Sequence, residues 1–220
     1  MIKGSIATNE ATLLDTQRFP PTWFTRMEES DDALFYARPR KVVHLDDDAI
    51  AALRDFYSRH LEGGWQLLDL MSSWRSHLPK LMRLTTVGLG MNAEEMYDNP
   101  QLDDYVVHDL NRTATLPFAD QQFDAALCAV SVQYLTQPVQ LFAEVGRVLK
   151  RGAPFIVSIS NRTFPTKAVS VWRASNDQQH IQLVAGYFQA SGRFNTIQAE
   201  DHSPHPYQGD PLFIIWGYAR

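Results

Sequence analysis

Cysteine is nearly absent from this chain, since Cys128 is the only one in 220 residues. One thiol cannot form an intramolecular disulfide, and it cannot supply the several ligands of a cysteine-based zinc cluster. Basic residues are also few, because 20 Lys and Arg stand against 25 Asp and Glu and give a net charge of −5. This balance argues against a protein that binds nucleic acid through a broad basic face.

Long apolar runs are missing too. No stretch reaches the roughly 18 residues that span a bilayer. The segment MIKGSIATNEATLL at residues 1–14 lacks the apolar core of a secretory signal. We therefore predict a cytoplasmic protein with neither a membrane nor a nucleic-acid partner. Its hydrophobic content of 45% is typical of a folded globular domain.

The first 45 residues differ from the rest of the chain. Pro20, Pro21 and Pro39 interrupt any helix there, while Trp23 and Phe35 are too apolar for a free tail. We predict that residues 1–45 form an arm packed on a main domain of residues 46–220. Parts of this arm, together with the aromatic segment 164–172, could close over a pocket as a lid or could simply pack.

From residue 46 onward, helical and strand patterns alternate. Apolar residues at helical spacing follow three aspartates at 46–48, which suit a helix N-terminus. Short apolar runs typical of strands then lie at 65–70, 84–90, 104–110, 123–132, 154–160, 194–200 and 212–219, with a helix near 177–191. This order predicts an α/β protein with a mostly parallel sheet.

Four segments carry a resemblance to a known family: LLDL at 67–70, VGLGMNAEEM at 87–96, VVHDLNRTATLPFADQQFDAAL at 106–127 and LFAEVGRVLKRGAPFIVSIS at 141–160. Together they resemble the class I S-adenosylmethionine (SAM)-dependent methyltransferases that act on small molecules. The resemblance implies a three-layer Rossmann-like sandwich, a seven-stranded sheet with an antiparallel late strand, and SAM as the cofactor. It covers residues 60–160 well and the remainder in topology only.

The first turn departs from the family pattern. The family has glycines after the first strand, where the backbone approaches the methionine part of SAM, but residues 69–75 read Asp-Leu-Met-Ser-Ser-Trp-Arg. By resemblance, Asp69, Ser72 and Ser73 would contact the cofactor, because a serine is small and its hydroxyl can donate to a carboxylate. For Asp69, a turn-forming role is the alternative. Met71 and Trp74 either fill the core or narrow the pocket, and the sequence leaves both alternatives open.

The tip of the second strand departs as well. The family places an acid there to bind both ribose hydroxyls, whereas this chain has Gly90, followed by Met91 and Asn92. Losing a hydrogen bond to a charged group costs about 1.5–3 kcal/mol. Asn92 could replace the acid, although Asn92 and Glu95 also predict a capping box that opens a helix. Met91 and Asn92 join the predicted cofactor residues.

The third strand keeps the family pattern. Asp109 matches the acid that faces the adenine amino group, and Leu110 would add its backbone amide; a loop-capping role for Asp109 is the alternative. Since alignment supplies most of the rate of methyl transfer, no catalytic triad is expected. Tyr134, Gln133 and Asn161 are the candidate catalytic residues, with a helix-entry role as the alternative for Tyr134.

Other charged residues carry less information. Arg162 and Lys167 either recognise an anionic acceptor or are solvated surface charges. His202 and His205 flank a proline in a loop, and we predict no metal site.

Three functions remain in competition. The first is methyl transfer from SAM to a small-molecule acceptor. The second is a catalytically inactive protein of the same fold that serves as a ligand-binding or partner-binding module. A nicotinamide-dependent enzyme is disfavoured because GxGxxG is absent after the first strand. The oligomeric state has no signal in the sequence.

Overall fold

The computed structural model describes residues 19–205 and 208–220. The first 18 residues of the predicted arm therefore lie outside the described residues. Within the described part of the chain, no helix is both long and apolar enough to cross a bilayer.

Helices and strands alternate along the chain. The helices are α1 (Asp32–Tyr36), α2 (Asp47–His60), α3 (Ala93–Tyr97), α4 (Pro138–Val148), α5 (Ser170–Arg173) and α6 (Asp177–Ala190). The strands are β1 (Gln66–Leu70), β2 (Thr85–Gly90), β3 (Asp104–Val107), β4 (Ala125–Ala129), β5 (Pro154–Ile159), β6 (Phe194–Asp201) and β7 (Phe213–Ala219). As the aspartate run predicts, the Asp46 side chain caps α2 by accepting a hydrogen bond from Ala49 N–H.

The seven strands form one sheet in the order β3-β2-β1-β4-β5-β7-β6. Strands β1 to β5 are mutually parallel where they pair, and β7 runs antiparallel to both of its neighbours. The predicted fold class, a mostly parallel seven-stranded α/β sheet with one antiparallel late strand, is confirmed. The carboxyl ends of β1 to β4 consequently meet at one edge, where such folds bind ligands.

Both faces of the sheet are covered, which gives three layers. Along β1, Leu67 packs with Leu53 and Phe56 of α2, while its neighbour Leu68 packs in the other cluster with Phe142 of α4 and Phe188 of α6. Successive residues of a strand point to opposite faces, so a continuous apolar run such as LLDL indicates a strand that is buried on both sides.

Two strands are shorter than their apolar runs predict. Strand β3 ends at Val107, because the loop that follows turns at Asp109 and is held by hydrogen bonds to the Asp109 side chain. Strand β4 ends at Ala129, since Val130 adopts a left-handed backbone with φ of 42°. Both strands thus end at the ligand-binding edge, and the residues that follow them lie in loops.

Candidate functional site

A pocket of about 110 Å³ opens at the carboxyl ends of β1 to β4. A single buried water needs roughly 10–15 Å³ on the same measure, so this pocket admits a ligand of several groups. Three walls enclose it. We name them the β3 wall (Asp109, Leu110, Asn111), the turn wall (Met71, Ser72, Ser73, Gly90) and the arm wall (Asp32, Tyr36, Arg40, His44).

On the β3 wall, Asp109 serves the loop and also faces the pocket. Its Oδ1 accepts hydrogen bonds from the N–H groups of Asn111 at 2.9 Å and Arg112 at 3.2 Å. Its Oδ2 receives no hydrogen bond from any described residue, and the N–H of Leu110 donates none within the same part of the chain. Within the described part of the chain, one acceptor and one donor thus have no hydrogen-bond partner, and both belong to residues that line the pocket.

On the turn wall, one residue that is not glycine has a backbone conformation that favours glycine. Met71 has a φ of 55°, in the left-handed region that favours glycine. The next residue, Ser72, donates its N–H to Leu89 O at 2.9 Å, which continues the β1–β2 pairing beyond the end of β1. This hydrogen bond holds the turn close to the carboxyl end of β2.

Two serine hydroxyls, one in this turn and one just after it, donate to the same buried carboxyl group. Ser72 Oγ donates to Asp69 Oδ2 at 2.7 Å, and Ser76 Oγ donates to the same oxygen at 2.6 Å. Burial raises the pKa of Asp69 to about 6 in spite of these two hydrogen bonds. Asp69 does not line the main pocket, but it contributes to a smaller cavity on the far side of the turn.

Gly90 marks the place of the family's ribose acid, and no side chain fits there. A Cβ on Gly90 would lie 2.2 Å from the Ser72 carbonyl oxygen, which belongs to the backbone. The path of the turn, drawn inward by the Ser72–Leu89 hydrogen bond, occupies the space of that side chain. The backbone path of the turn therefore requires a glycine at position 90.

Asn92 and Glu95 do not form the predicted capping box. The Asn92 side chain does accept from Glu95 N–H at 3.0 Å, as a cap should. The Glu95 carboxylate, however, accepts from Ser73 Oγ at 2.6 Å and from Arg40 N–H at 2.6 Å instead of returning to Asn92. Asn92 Nδ2 donates to Tyr36 O, so both polar atoms of the Asn92 side chain are in use.

The arm wall covers the pocket from outside the sheet. The Arg40 guanidinium lies 4.0 Å from the centre of the Phe35 ring, and the His44 ring meets Phe164 edge-on at 5.0 Å. Trp74 turns away from the main pocket and donates its Nε1–H to Val42 O of the arm. Burial lowers the pKa of His44, which leaves this imidazole neutral at neutral pH.

A buried ion cluster fastens the arm. Asp32 accepts two hydrogen bonds from Arg26, at 2.7 and 2.8 Å, and its Oδ1 lies 3.0 Å from Lys167 Nζ. Asn111 Nδ2 of the β3 wall donates to Asp32 Oδ2 at 2.9 Å. The hypothesis of a solvated Lys167 is wrong, because its side chain is 0% exposed and the Asp32 carboxylate compensates its charge.

The three candidate catalytic residues do not lie together. Tyr134 lines the pocket, and its hydroxyl accepts from Phe164 N–H at 2.9 Å. Gln133 is buried behind the pocket, where its amide nitrogen donates to Val130 O. Asn161 is exposed and outside the pocket lining. Among the predicted cofactor residues, all but Asp69 line the pocket: Ser72, Ser73, Met91, Asn92, Asp109 and Leu110.

Sequence reasoning missed the pocket residues that the arm brings from far along the chain. Asp32, Tyr36, Arg40 and His44 reach the pocket only through the tertiary path of the arm. The aromatic residues of the arm indicate that it packs on the main domain. They do not indicate which surface of the domain it contacts. Asn111, in contrast, directly follows Asp109 and Leu110 and could have been included with them.

The residues present fit SAM at one end of the pocket. On the β3 wall, the free Asp109 Oδ2 can accept from an adenine amino group, and the free Leu110 N–H can donate to a ring nitrogen. The turn wall does not fit in the usual way, because Gly90 offers no acid and the Ser72 hydroxyl is committed to Asp69. Met71 contributes its side chain to the pocket where the family has a bare backbone.

Comparison with known proteins supports this reading of the fold. Residues 83–157 match the model of a methyltransferase domain. A biotin biosynthesis bifunctional protein from Teredinibacter turnerae is 29% identical over 94 residues, which are 43% of this chain and 16% of that protein. The chain therefore corresponds to a small part of that relative's length.

Solved structures share the architecture at low identity. A chain of a Haloferax volcanii complex containing the Trm112 methyltransferase activator superposes with a TM-score of 0.60 at 16% identity, covering 79% of this chain and 90% of that one. The [4+2]-cyclase SpnF also gives 0.60 at 16% identity, covering 85% and 91% of the two chains.

A third structure, phosphoethanolamine N-methyltransferase 2 of Haemonchus contortus in complex with SAM, gives a TM-score of 0.55 at 13% identity and covers 79% and 52% of the two chains. A protein that shares this fold thus binds SAM, in agreement with the cofactor that the resemblance implies. The domain match and the seven-stranded fold together confirm the resemblance of this chain to the class I SAM-dependent methyltransferases.

Proposed function

We propose that this chain is a SAM-dependent methyltransferase that acts on a small-molecule acceptor. One observation carries the proposal: a pocket lies at the carboxyl ends of the parallel strands, and its β3 wall contains Asp109 Oδ2 and Leu110 N–H, neither of which has a hydrogen-bond partner among the described residues. Such a donor–acceptor pair suits the edge of an adenine ring. The remaining cofactor contacts would come from Met91, Asn92 and Ser73, which line the same pocket.

A bound SAM supplies a methyl group activated by its sulfonium. The chain's own task is to align an acceptor and to exclude water, because alignment contributes most of the rate of such a transfer. Tyr134 contributes an aromatic ring to the wall, and a ring face attracts a nearby cation. Burial raises the pKa of the Tyr134 phenol, so this hydroxyl stays protonated and serves as a hydrogen-bond donor or acceptor, not as a base.

His44 is the group on the pocket wall best suited to take a proton. Its imidazole is neutral at neutral pH because burial lowers its pKa, and a neutral ring nitrogen can accept a proton from an acceptor hydroxyl or amine. It stands on the arm, opposite the strand ends. A substrate held against the arm wall would have this proton acceptor within the same pocket.

The arm supports a small acceptor over a macromolecular one. Four residues of the arm line the pocket, and the arm is held to the domain by the buried Asp32 cluster. We expect an acceptor to fit within these walls, and a polymer chain would require the arm to be displaced. The acidic net charge of −5 further disfavours a nucleic acid.

Calorimetry with SAM and S-adenosylhomocysteine tests the cofactor part of the proposal. We expect both to bind the wild type and Asp109→Asn to weaken binding about tenfold or more. Asparagine preserves the loop-capping oxygen but places an NH₂ donor against the adenine amino group. Asp104→Asn, at the far end of β3 and exposed, is the matched control. Absence of heat at millimolar ligand would overturn the assignment.

Transfer of a labelled methyl group tests the acceptor part. We expect label from SAM to enter the small-molecule fraction of a cell extract after ultrafiltration, and not the macromolecular fraction. Label confined to protein or nucleic acid would contradict a small acceptor while leaving SAM-dependent transfer intact.

The second candidate is an inactive binding module of the same fold. The turn wall favours it, since the glycines are replaced and the Ser72 carbonyl closes over Gly90. The structural similarity to a [4+2]-cyclase also favours it, because one fold can support reactions other than methyl transfer. Binding of S-adenosylhomocysteine with no labelled turnover on any fraction would favour this candidate, and turnover would exclude it.

A further inference from the structure

The turn wall raises a question about the sugar of the cofactor. A carboxylate at the tip of β2 would accept hydrogen bonds from the two ribose hydroxyls, but Gly90 stands there and the Ser72 carbonyl oxygen blocks any side chain. Asn92, the substitute that the sequence suggests, has both side-chain polar atoms committed, Oδ1 to Glu95 N–H and Nδ2 to Tyr36 O. Gly90 therefore supplies no acceptor, and Asn92 keeps only the second lone pair of Oδ1, which is one acceptor site for two sugar hydroxyls.

Another carboxylate, that of Glu95, lines the same pocket as Gly90 and Asn92. Glu95 lies in the first turn of α3, and its side chain extends back over the turn wall. One oxygen accepts from Ser73 Oγ at 2.6 Å and the other accepts from Arg40 N–H at 2.6 Å. Glu95, Ser73, Gly90 and Asn92 all line the one pocket.

We propose that Glu95 is the ribose-binding carboxylate of this chain, an acid supplied by the first turn of α3 in place of the missing acid at the end of β2. The proposal rests on the proposed function, since it concerns how the same pocket holds SAM. An ionised carboxylate has about four acceptor sites. Ser73 and Arg40 use two of them, which leaves one on each oxygen for the two sugar hydroxyls.

The two existing hydrogen bonds position this carboxylate. Ser73 anchors it to the turn and Arg40 anchors it to the arm, so the side chain is held from both sides before any ligand arrives. A prepositioned acceptor loses less conformational entropy when a ligand binds. The competing interpretation is that Glu95 only ties the arm to the turn and makes no contact with a ligand.

Calorimetry with S-adenosylhomocysteine and its 2′-deoxy and 3′-deoxy analogues separates these roles. We expect the wild type to bind the parent compound about ten- to a hundredfold more tightly than either deoxy form, because each analogue leaves one carboxylate site unpaired. In Glu95→Gln, which keeps the shape of the side chain, we expect that preference to fall to about threefold or less. Glu94→Gln, which alters a 62% exposed carboxylate paired with Lys41, should retain it.

The preference is a ratio within one protein, so a partly unfolded variant reduces both affinities equally and leaves the ratio valid. If Glu95→Gln weakens all three ligands by the same factor and retains the wild-type preference, Glu95 is structural and the proposal is overturned. If the wild type binds S-adenosylhomocysteine but does not distinguish it from the deoxy forms, the proposal also fails and the proposed function stands. If no form binds the wild type, the proposed function itself is lost.

Discussion

The β3 wall and the turn wall of the pocket match the pattern of the class I SAM-dependent methyltransferases to different extents. The β3 wall retains the family's chemistry in sequence, with Asp109 and Leu110 adjacent and free to bind. The turn wall retains only the backbone path: Met71 adopts a glycine-like φ of 55°, and Ser72 closes over Gly90. The comparison teaches that this chain forms a turn with a glycine-like backbone at Met71 without having a glycine at that position.

What anchors each wall also differs. The β3 wall is fastened from outside by charge, because Asn111 joins it to the buried Asp32 cluster of the arm. The turn wall is fastened from inside by hydrogen bonds, because Ser72 and Ser76 both donate to the buried Asp69 carboxyl group. Substitutions that remove one anchor should therefore affect the two walls differently, and three experiments exploit this.

The largest effect is expected at the anchor of the β3 wall. Asp32→Asn removes the negative charge that compensates the buried Arg26 and Lys167, whose side chains are 8% and 0% exposed. Removing one partner of a buried ion pair costs about 3–5 kcal/mol. We expect a loss near 3 kcal/mol in the free energy of unfolding measured in urea, because Glu28 remains 3.5 Å from Lys167.

Asp31→Asn is the matched control for that experiment. The Asp31 side chain is exposed and caps α1 by accepting from Ala33 N–H, a role that asparagine also performs well. A change within 0.5 kcal/mol is expected of such a surface substitution. Equal losses for Asp31→Asn and Asp32→Asn would show that the cluster does not anchor the arm.

The anchor of the turn wall should respond to pH. Burial raises the pKa of Asp69 to about 6, above its ordinary value of 3.8, so the folded protein gains stability as the pH falls from about 6 to 4. Burial lowers the pKa of the nearby His77 from 6.5 to about 4, so the folded protein loses stability over nearly the same interval. Each contribution is about 3 kcal/mol at 1.36 kcal/mol per pH unit, and the two nearly cancel in the wild type.

Single substitutions should reveal the two opposed contributions. Between pH 6.5 and 4.5, we expect Asp69→Asn to lose stability relative to the wild type and His77→Asn to gain it, while the double variant follows the wild type. Asparagine suits position 77, where φ is 56°. Urea unfolding at both pH values supplies the measurement. Parallel behaviour of all four proteins would mean that neither group is perturbed by the fold.

The sequence predicted the fold well because its signals are local and cumulative. Apolar runs such as LLDL and the helix-initiating aspartates at 46–48 depend on neighbouring residues, and the sheet and the α2 cap confirm them. The same holds for Asp109, whose place after β3 follows from chain order alone. The prediction failed at Glu95, because the neighbouring residues, Asn92 above all, indicate a capping box, whereas the side chain binds Ser73 and Arg40.

The arm shows why the remaining site residues were out of reach. Glu95 leaves its cap because Ser73 and Arg40 offer it hydrogen bonds, and Arg40 lies 55 residues away in sequence. Lys167 is buried because Asp32 reaches it from the arm. Each of these outcomes is decided by a partner that the tertiary structure brings close, and no periodicity or motif in one segment records it.

The smallest effect is expected from a comparison of two glycines on β2, and it tests whether the turn lies as close to the strand as we find. A Cβ on Gly88 would lie 2.5 Å from Leu102 Cδ1, the end of a side chain that can rotate, whereas a Cβ on Gly90 meets the Ser72 carbonyl at 2.2 Å. Overpacking costs about 1–3 kcal/mol. We expect Gly90→Ala to lie at the upper end of that range and Gly88→Ala at the lower end. Equal losses in urea unfolding would mean that the turn yields as readily as a leucine side chain, and the space beside Gly90 would then be open to a carboxylate after all.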